Sequence, residues 1–366
     1  MKKIDSKTEL PPENREKLLR AAPLLTAWFE ENARPLPWRT ERDPYRIWVS
    51  ETMLQQTRIE AVLGYFPRFL EAFPTLRALA EAPEEKVLKL WEDLGYYSRA
   101  RNLHKAAAVC LEQYGGALPG TAAELKKLPG IGAYTAGAVA SLAFGEAAPA
   151  VDGNVLRILA RFLNDERDVL QPAVKKEAEA LLKAVLEQQE RPGVFNEALM
   201  ELGEVICLPN GAPRCNRCPL GEICGALAAG TEKDLPNRGE ARPRRPEKKT
   251  VLLLRCGGRT ALEKRPDKGL LAGLYGFPML DGELGRTDIV PWLSSYRIPF
   301  RGPTEAGRAR HIFTHVEWDM TAWEAETERE LPGFVYADDA EIRERYALPA
   351  AFKAFRDRPR TGGELE

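Results

Sequence analysis

The chain lacks any run approaching eighteen consecutive apolar residues, which excludes a membrane-spanning helix. Its opening stretch, MKKIDSKTELPPENREK, has no apolar signal region, so a cytoplasmic protein is expected rather than a secreted one. Net charge is nearly absent: 53 basic residues face 54 acidic ones, and the formal charge of -1 does not advertise a nucleic-acid partner. Cysteine is scarce, six in 366 residues, which argues against a disulfide framework. No internal repeat is found. What is there is an ordinary globular composition, 44% hydrophobic and 29% charged, in a chain long enough for two domains.

Residues 232–249, EKDLPNRGEARPRRPEKK, are rich in proline and charge and poor in apolar side chains. Such a segment cannot bury enough surface to offset its ordering entropy, so it is expected to link a domain over 1–231 to a smaller one over 250–366. The near-neutral total hides this stretch, which carries +3 over residues 231–249. Ahead of it, helical periodicity dominates. ENREKLLRAAPLLTAWFEEN, SETMLQQTRIEAVLGYFPRFLEAF and SRARNLHKAAAVCLEQY all place apolar residues at three- and four-residue spacing. Beyond it, TVLLLRCGG and RTALEKR read as strands. HIFTHVEWDMTAWEAE alternates, with Ile312, Val316, Trp318, Met320 and Ala322 on one face. The prediction is a mostly α domain followed by an α+β domain ending in short helices.

Four of the six cysteines cluster: Cys207, Cys215, Cys218 and Cys224 follow the pattern C-x7-C-x2-C-x5-C. Four thiolates on short loops can hold a tetrahedral zinc ion or an iron–sulfur cube, and spacing alone leaves both open. Upstream, LKKLPGIGAYTAGAVASLAFG is a helix, a glycine turn and a second helix. Gly130 and Gly132 are expected to allow backbone conformations that a Cβ would obstruct. Amides at the start of that second helix can cradle a phosphate without any net positive charge.

The order of hairpin, PAVDGNVLRILARF and four cysteines resembles the helix-hairpin-helix DNA glycosylases that carry a [4Fe–4S] cluster. RPLPWR (34–39), WVSETMLQQTR (48–58), DLGYYSRARNLHKAA (93–107), LPGIGAYTAGA, VDGNV and FNEALMELG narrow the likeness to the MutY-type adenine DNA glycosylase family. GLLAGLYGFP and RHIFTHVEW resemble that family's C-terminal domain, related in fold to nucleotide pyrophosphohydrolases. The Glu-rich helix of those hydrolases is missing, so this domain is expected to recognise rather than hydrolyse.

The resemblance implies a base-excision enzyme acting as a monomer on double-stranded DNA with adenine:8-oxoguanine or adenine:guanine mispairs. It places the [4Fe–4S] cluster on Cys207, Cys215, Cys218 and Cys224, although the first gap is one residue longer than is usual in the family. By the same likeness Glu51 is the general acid, Asp152 stabilises the oxocarbenium-like state, and Asn154 hydrogen-bonds in the same site. Tyr134 stands where bifunctional relatives carry a Schiff-base lysine, which implies a monofunctional enzyme. Arg34, Leu36, Trp38, Arg39 and Glu197 match the adenine pocket. Gln56, Thr57 and Tyr96 match residues that probe the opposing base. Phe313, Thr314 and His315 match the 8-oxoguanine loop, with threonine where serine is commoner. Two other readings are set against this one: an endonuclease III-like glycosylase-lyase, and a metal-containing DNA-binding protein without activity.

Overall fold

The computed structural model describes residues 12–239 and 243–357. By internal contacts the chain falls into two units, one of residues 1–81 and 105–240, the other of residues 82–104 and 241–366. The expected boundary near residue 232 therefore omits the segment 82–104, which groups with the second unit.

Helices follow one another as α1 (Pro12–Asn32), α2 (Pro44–Leu54), α3 (Ile59–Ala72), α4 (Leu76–Ala80), α5 (Glu84–Leu90) and α6 (Ser98–Gln113). After these come α7 (Ala122–Leu125), α8 (Ala133–Phe144), α9 (Gly153–Leu163), α10 (Pro172–Leu186), α11 (Pro192–Val205) and α12 (Gly225–Ala229). Local chemistry sets their starts. At α2, Asp43 accepts the Arg46 N–H at 2.8 Å, and Pro44 sits at the first turn, where no amide is needed. The stretch 50–73, expected to be uniformly helical, is split: α2 stops at Leu54 and Gln56 takes φ 57° before α3 begins. Apolar spacing continues across this break, so periodicity could not see it. A left-handed non-glycine residue there is strained backbone of the kind that clusters at functional sites.

The core of the first unit lies where α1, α9, α10 and α11 meet, with Leu25 and Phe29 packed among Val155, Phe162, Leu182, Phe195 and Leu202. Helix α8 is buried from Thr135 to Ser141. Close approach is possible because Gly137 has no side chain: a Cβ there would fall 2.0 Å from the Pro149 carbonyl oxygen. Asn196 of α11 completes the arrangement, donating to Ser141 Oγ at 2.8 Å and to the Ala148 carbonyl at 2.9 Å. The segment 145–151, neither helix nor strand, is thereby laid down against α8 and α11, and it delivers Asp152 to the start of α9. In the hairpin before α8, Gly130 has φ 75°, whereas Gly132 has φ -83° with nothing within 4 Å of an added Cβ. The conformational argument for glycine thus holds at 130 and is corrected at 132, where the helix start simply faces open space.

The predicted linker is also corrected. Residues 232–239 belong to the first unit: Leu235 is buried, and its carbonyl accepts from Arg161 Nε at 2.8 Å. Residues 245–249 are already strand. The second unit is a sheet of β1 (Arg245–Cys256), β2 (Arg259–Lys264), β3 (Tyr275–Gly276), β4 (Met279–Asp281), β5 (Phe300–Ile312), β6 (Val316–Thr327) and β7 (Val335–Ala337). Its order is β3-β2-β1-β6-β5, with β4 on β1 and β7 on β2. β1 runs parallel to β6 and is apolar on both faces, as central parallel strands are. Val251 and Leu253 join Trp318, Met320 and Phe352 in one layer, while Leu252 and Leu254 join Ile289 and Leu293 in the other. The second layer is roofed by α13 (Arg286–Ser294), and the unit ends in α14 (Asp339–Arg345) and α15 (Lys353–Arg356). The acidic residue of α13's first turn, Asp288, caps that helix by accepting the Gly285 N–H at 3.0 Å.

The alternating stretch 311–326 is two strands, not one. β5 ends at Ile312, which is 53% exposed, and residues 313–315 turn the chain into β6. Alternation resumed in phase after the turn, which is why the pattern read as continuous.

Candidate active site

A cavity of about 490 Å³ opens in the first unit, roomy enough for a nucleoside. Eleven predicted residues line it: Arg34, Leu36, Trp38, Arg39, Glu51, Gln56, Thr57, Tyr134, Asp152, Asn154 and Glu197. They come from four helices and three loops. Gly130 and Gly132 do not line it; they form the hairpin before α8.

Glu51 sits in the last turns of α2 and is only 4% exposed. Burial pushes its carboxyl up to about 7, against the Tyr134 hydrogen bond, and the nearby Glu197 and Asp152 charges add to the rise. Tyr134 Oη donates to Glu51 Oε2 at 2.9 Å. The tyrosine itself is pushed well above its usual range by burial and the neighbouring carboxylates, so it stays a donor. Asp152 caps α9 by accepting the Val155 N–H at 2.8 Å through Oδ1. Its carboxyl is raised by burial, with the backbone N–H bonds acting in the opposite direction. One cavity thus holds two buried carboxyls: Glu51, raised to about 7 and paired with the Tyr134 hydroxyl, and Asp152, raised by burial against the backbone N–H bonds that favour its ionised form. A pair of carboxyls in one cavity is what is required to protonate a leaving group while stabilising a sugar cation.

Arg34, Trp38 and Arg39 form one wall. Trp38 is buried, edge-on to Phe66 at 5.5 Å. Two residues not singled out in the sequence support this wall: Glu201, which lines the cavity, buried and gripping both arginines, and Arg42, which lies outside the lining and donates to Glu197 Oε2 at 2.6 Å. A signal for Glu201 existed, since FNEALMELG sets Glu197 and Glu201 four residues apart on one helix face.

Asn154 Oδ1 accepts from Arg157 Nη2 at 2.9 Å, and its amide donates to Glu204 Oε1 at 3.1 Å. Arg157 and Arg161 of α9 are buried cations that the sequence reading also missed. Arg157 Nε reaches the Cys207 carbonyl at 2.8 Å, and Arg161 Nη1 donates to Cys207 Sγ at 3.3 Å. Cys207, Cys215, Cys218 and Cys224 all line one small cavity, and none is in a disulfide. Among the described residues no group of three or more His, Cys, Asp or Glu side chains is arranged to close on a single metal ion. Four thiols around a shared space, one of them receiving a hydrogen bond from a buried guanidinium, are a donor set suited to an anionic multi-iron group.

The remaining predicted residues lie in the second unit. Tyr96 is 47% exposed with φ 46°, and its hydroxyl pairs with Thr314 Oγ1 at 3.1 Å. Phe313 turns its ring onto Trp318 at 4.9 Å, which leaves Thr314 and His315 exposed at the tip.

The helical unit with its glycine hairpin thus holds two buried carboxyls in a nucleoside-sized cavity. Residues 49–188 match the HhH-GPD superfamily base excision DNA repair protein, and residues 250–358 match the NUDIX domain. The chain is 34% identical over 368 residues to adenine DNA glycosylase of Homo sapiens, covering 84% of this chain and 67% of that protein. It is 32% identical to the Rattus norvegicus enzyme of that name, covering 91% and 76%. Among solved structures, a thermostable thymine-DNA glycosylase superposes with a TM-score of 0.52 at 27% identity, over 60% of this chain and 98% of that one. The chain belongs to the adenine DNA glycosylase family.

Proposed function

We propose that the protein hydrolyses the N-glycosidic bond of adenine paired with 8-oxoguanine or guanine in duplex DNA and leaves an abasic site. The observation that carries this is the pairing of Glu51 and Asp152 in one cavity under Tyr134. The target nucleotide must leave the stack to reach the cavity, since its glycosidic bond is inaccessible within a duplex. Glu51 then gives its proton to adenine N7, and the N9–C1′ bond breaks with its electron pair passing to the base. The Asp152 carboxylate faces the sugar cation until water adds to C1′, and the proton that this water loses returns to the Glu51 carboxylate. Tyr134 has no amine for a Schiff base; its hydroxyl orients Glu51 instead, so strand cleavage does not follow. This separates the protein from a glycosylase-lyase.

In the first unit, Gln56 and Thr57 at the strained end of α2 are assigned to the opposing base; in the second unit, Tyr96 and the loop 313–315 carry their own assignment to it, from the family likeness. Amides at the start of α8 after Gly130 and Gly132 are assigned to backbone phosphate. Cys207, Cys215, Cys218 and Cys224 are assigned to a [4Fe–4S] cluster, whose chemistry when bound is structural and not part of hydrolysis. The exposed Arg214 and Arg217 on the same loop face solvent, where phosphates can be met.

The test is single-turnover excision from duplexes carrying adenine opposite 8-oxoguanine, guanine and thymine, with alkali cleavage of the abasic product. Fastest release opposite 8-oxoguanine is expected; binding without release on all three would sink the enzyme reading. The pH profile adds a check. Glu51 must be protonated to act, and its value near 7 means that the rate is fully present below neutrality and falls about tenfold per unit above it. Asp152 must be ionised, so a second limb lies on the acid side. Iron and sulfide analysis should give about four of each per chain with a visible charge-transfer spectrum, whereas stoichiometric zinc would overturn the cluster.

A further inference from the structure

The cavity wall contains a ladder of alternating charge that the reaction described above does not yet use. Arg34 binds Glu201 in a two-pronged fashion, Nε to Oε1 at 2.6 Å and Nη2 to Oε2 at 3.0 Å. Arg39 Nη2 reaches the same Oε2 at 2.8 Å. Arg39 then continues to Glu197, Nε to Oε1 at 3.6 Å, and Arg42 closes the far end on Glu197 Oε2. Glu201 is the most enclosed member, its side chain 1% exposed, against 32% for Arg34 and 15% for Arg39. Burial works to raise its carboxyl, but the two guanidiniums outweigh this and hold it below the usual range.

Every N–H that Glu201 accepts comes from an arginine facing the cavity, so a buried carboxylate here fixes the geometry of its neighbours rather than meeting substrate. Arg39 is pinned on its other sides too, with Nη1 on the Arg34 carbonyl at 3.2 Å and its guanidinium over the Phe29 ring at 5.1 Å. Charge matters as much as position. Glu51 is faced by Tyr134 from α8, Asp152 at the start of α9, Glu197 from α11 and Arg39 from the loop before α2. Arg39 is the cation of that group, and its field pulls the proton off Glu51.

We infer that Glu201 is the positioning residue of this wall: it sets Arg34 and Arg39 as preorganised donors toward the extruded base and offsets the Arg39 charge that acts on Glu51. This rests on the proposed role of Glu51 as general acid. In E201Q the shape is kept and the charge is lost, leaving the wall with Arg34, Arg39 and Arg42 against Glu197 alone. The alkaline limb of the single-turnover pH profile should move down by about one unit, the size of shift that a nearby uncompensated charge produces. The rate at pH 7.5 then drops about tenfold, recovers toward wild type near pH 5.5, and duplex affinity is unchanged. R39Q removes the opposing cation from a partly exposed position while Glu201 keeps Arg34, and it should move the limb upward. The double variant E201Q/R39Q should return it toward the wild-type position.

A limb that stays in place in R39Q, or in a folded E201Q that is slower equally at all pH values, overturns the inference and leaves Glu201 a packing residue. Because R39Q reads the same charge balance, loss of folding in E201Q does not remove the test. Failure of the wild-type protein to release adenine at any pH instead overturns the proposed function.

Discussion

Glutamine in place of Glu51 slows base release by about 10²–10⁴-fold, the range ascribed to a positioned general acid, while mismatch binding is retained. The side chain is buried and already uncharged for much of the working range, so an amide of the same shape fits the site. Tyr134 can donate to the amide oxygen as it does to Oε2, so the local hydrogen bond survives. Only the transferable proton is lost. The measurement is single-turnover release from an adenine:8-oxoguanine duplex beside an equilibrium binding titration. Wild-type rates in E51Q would remove Glu51 from the chemistry. A loss of binding in parallel with rate would make it a structural residue instead.

The second large effect is expected at Asp152, where two jobs coincide and can be separated. As a helix cap it holds the start of α9 through one oxygen, and asparagine caps about as well as aspartate. As a carboxylate it supplies the negative charge that faces the developing sugar cation. Asp152→Asn therefore keeps the fold and loses about 10²–10³-fold in rate, the cost of removing one preorganised electrostatic contact. Asp152→Ala loses the same rate and also about 1 kcal/mol of stability. Thermal melts and single-turnover rates on the two variants check this. A D152N protein that releases adenine at the wild-type rate would confine the residue to capping.

Much of this site was legible along the chain because its parts are local. Asp43 before Pro44, Asp152 before GNV and the glycine turn at 130 announce helix starts within a few residues of themselves. The four cysteines lie within eighteen residues of one another, so their clustering is visible along the chain. Motif order then carried Glu51, Tyr134 and Asp152 into one hypothesis. Legibility stopped where backbone conformation or distant partners decide. Gln56 looks like any polar residue in a helical run, and only its left-handed backbone marks the end of α2. Ile312 fitted the strand alternation and is nevertheless on the exposed end of β5. The proline-rich stretch after residue 232 looked solvated, but Leu235 is drawn in by Arg161.

By itself the sequence determined the helical and α+β halves, the helix caps, the thiol cluster and the family. Each of these depends on residue type at short spacing, which the chain carries in one dimension. Tertiary structure alone decided that Glu51 would be buried enough to hold a proton near neutrality, since that depends on the absence of water around it. It also decided that Glu201 would clasp two arginines more than 160 positions away along the chain. Electrostatic energies vary with distance and with exclusion of solvent, and both are set only when α2, α8, α9 and α11 close around one cavity.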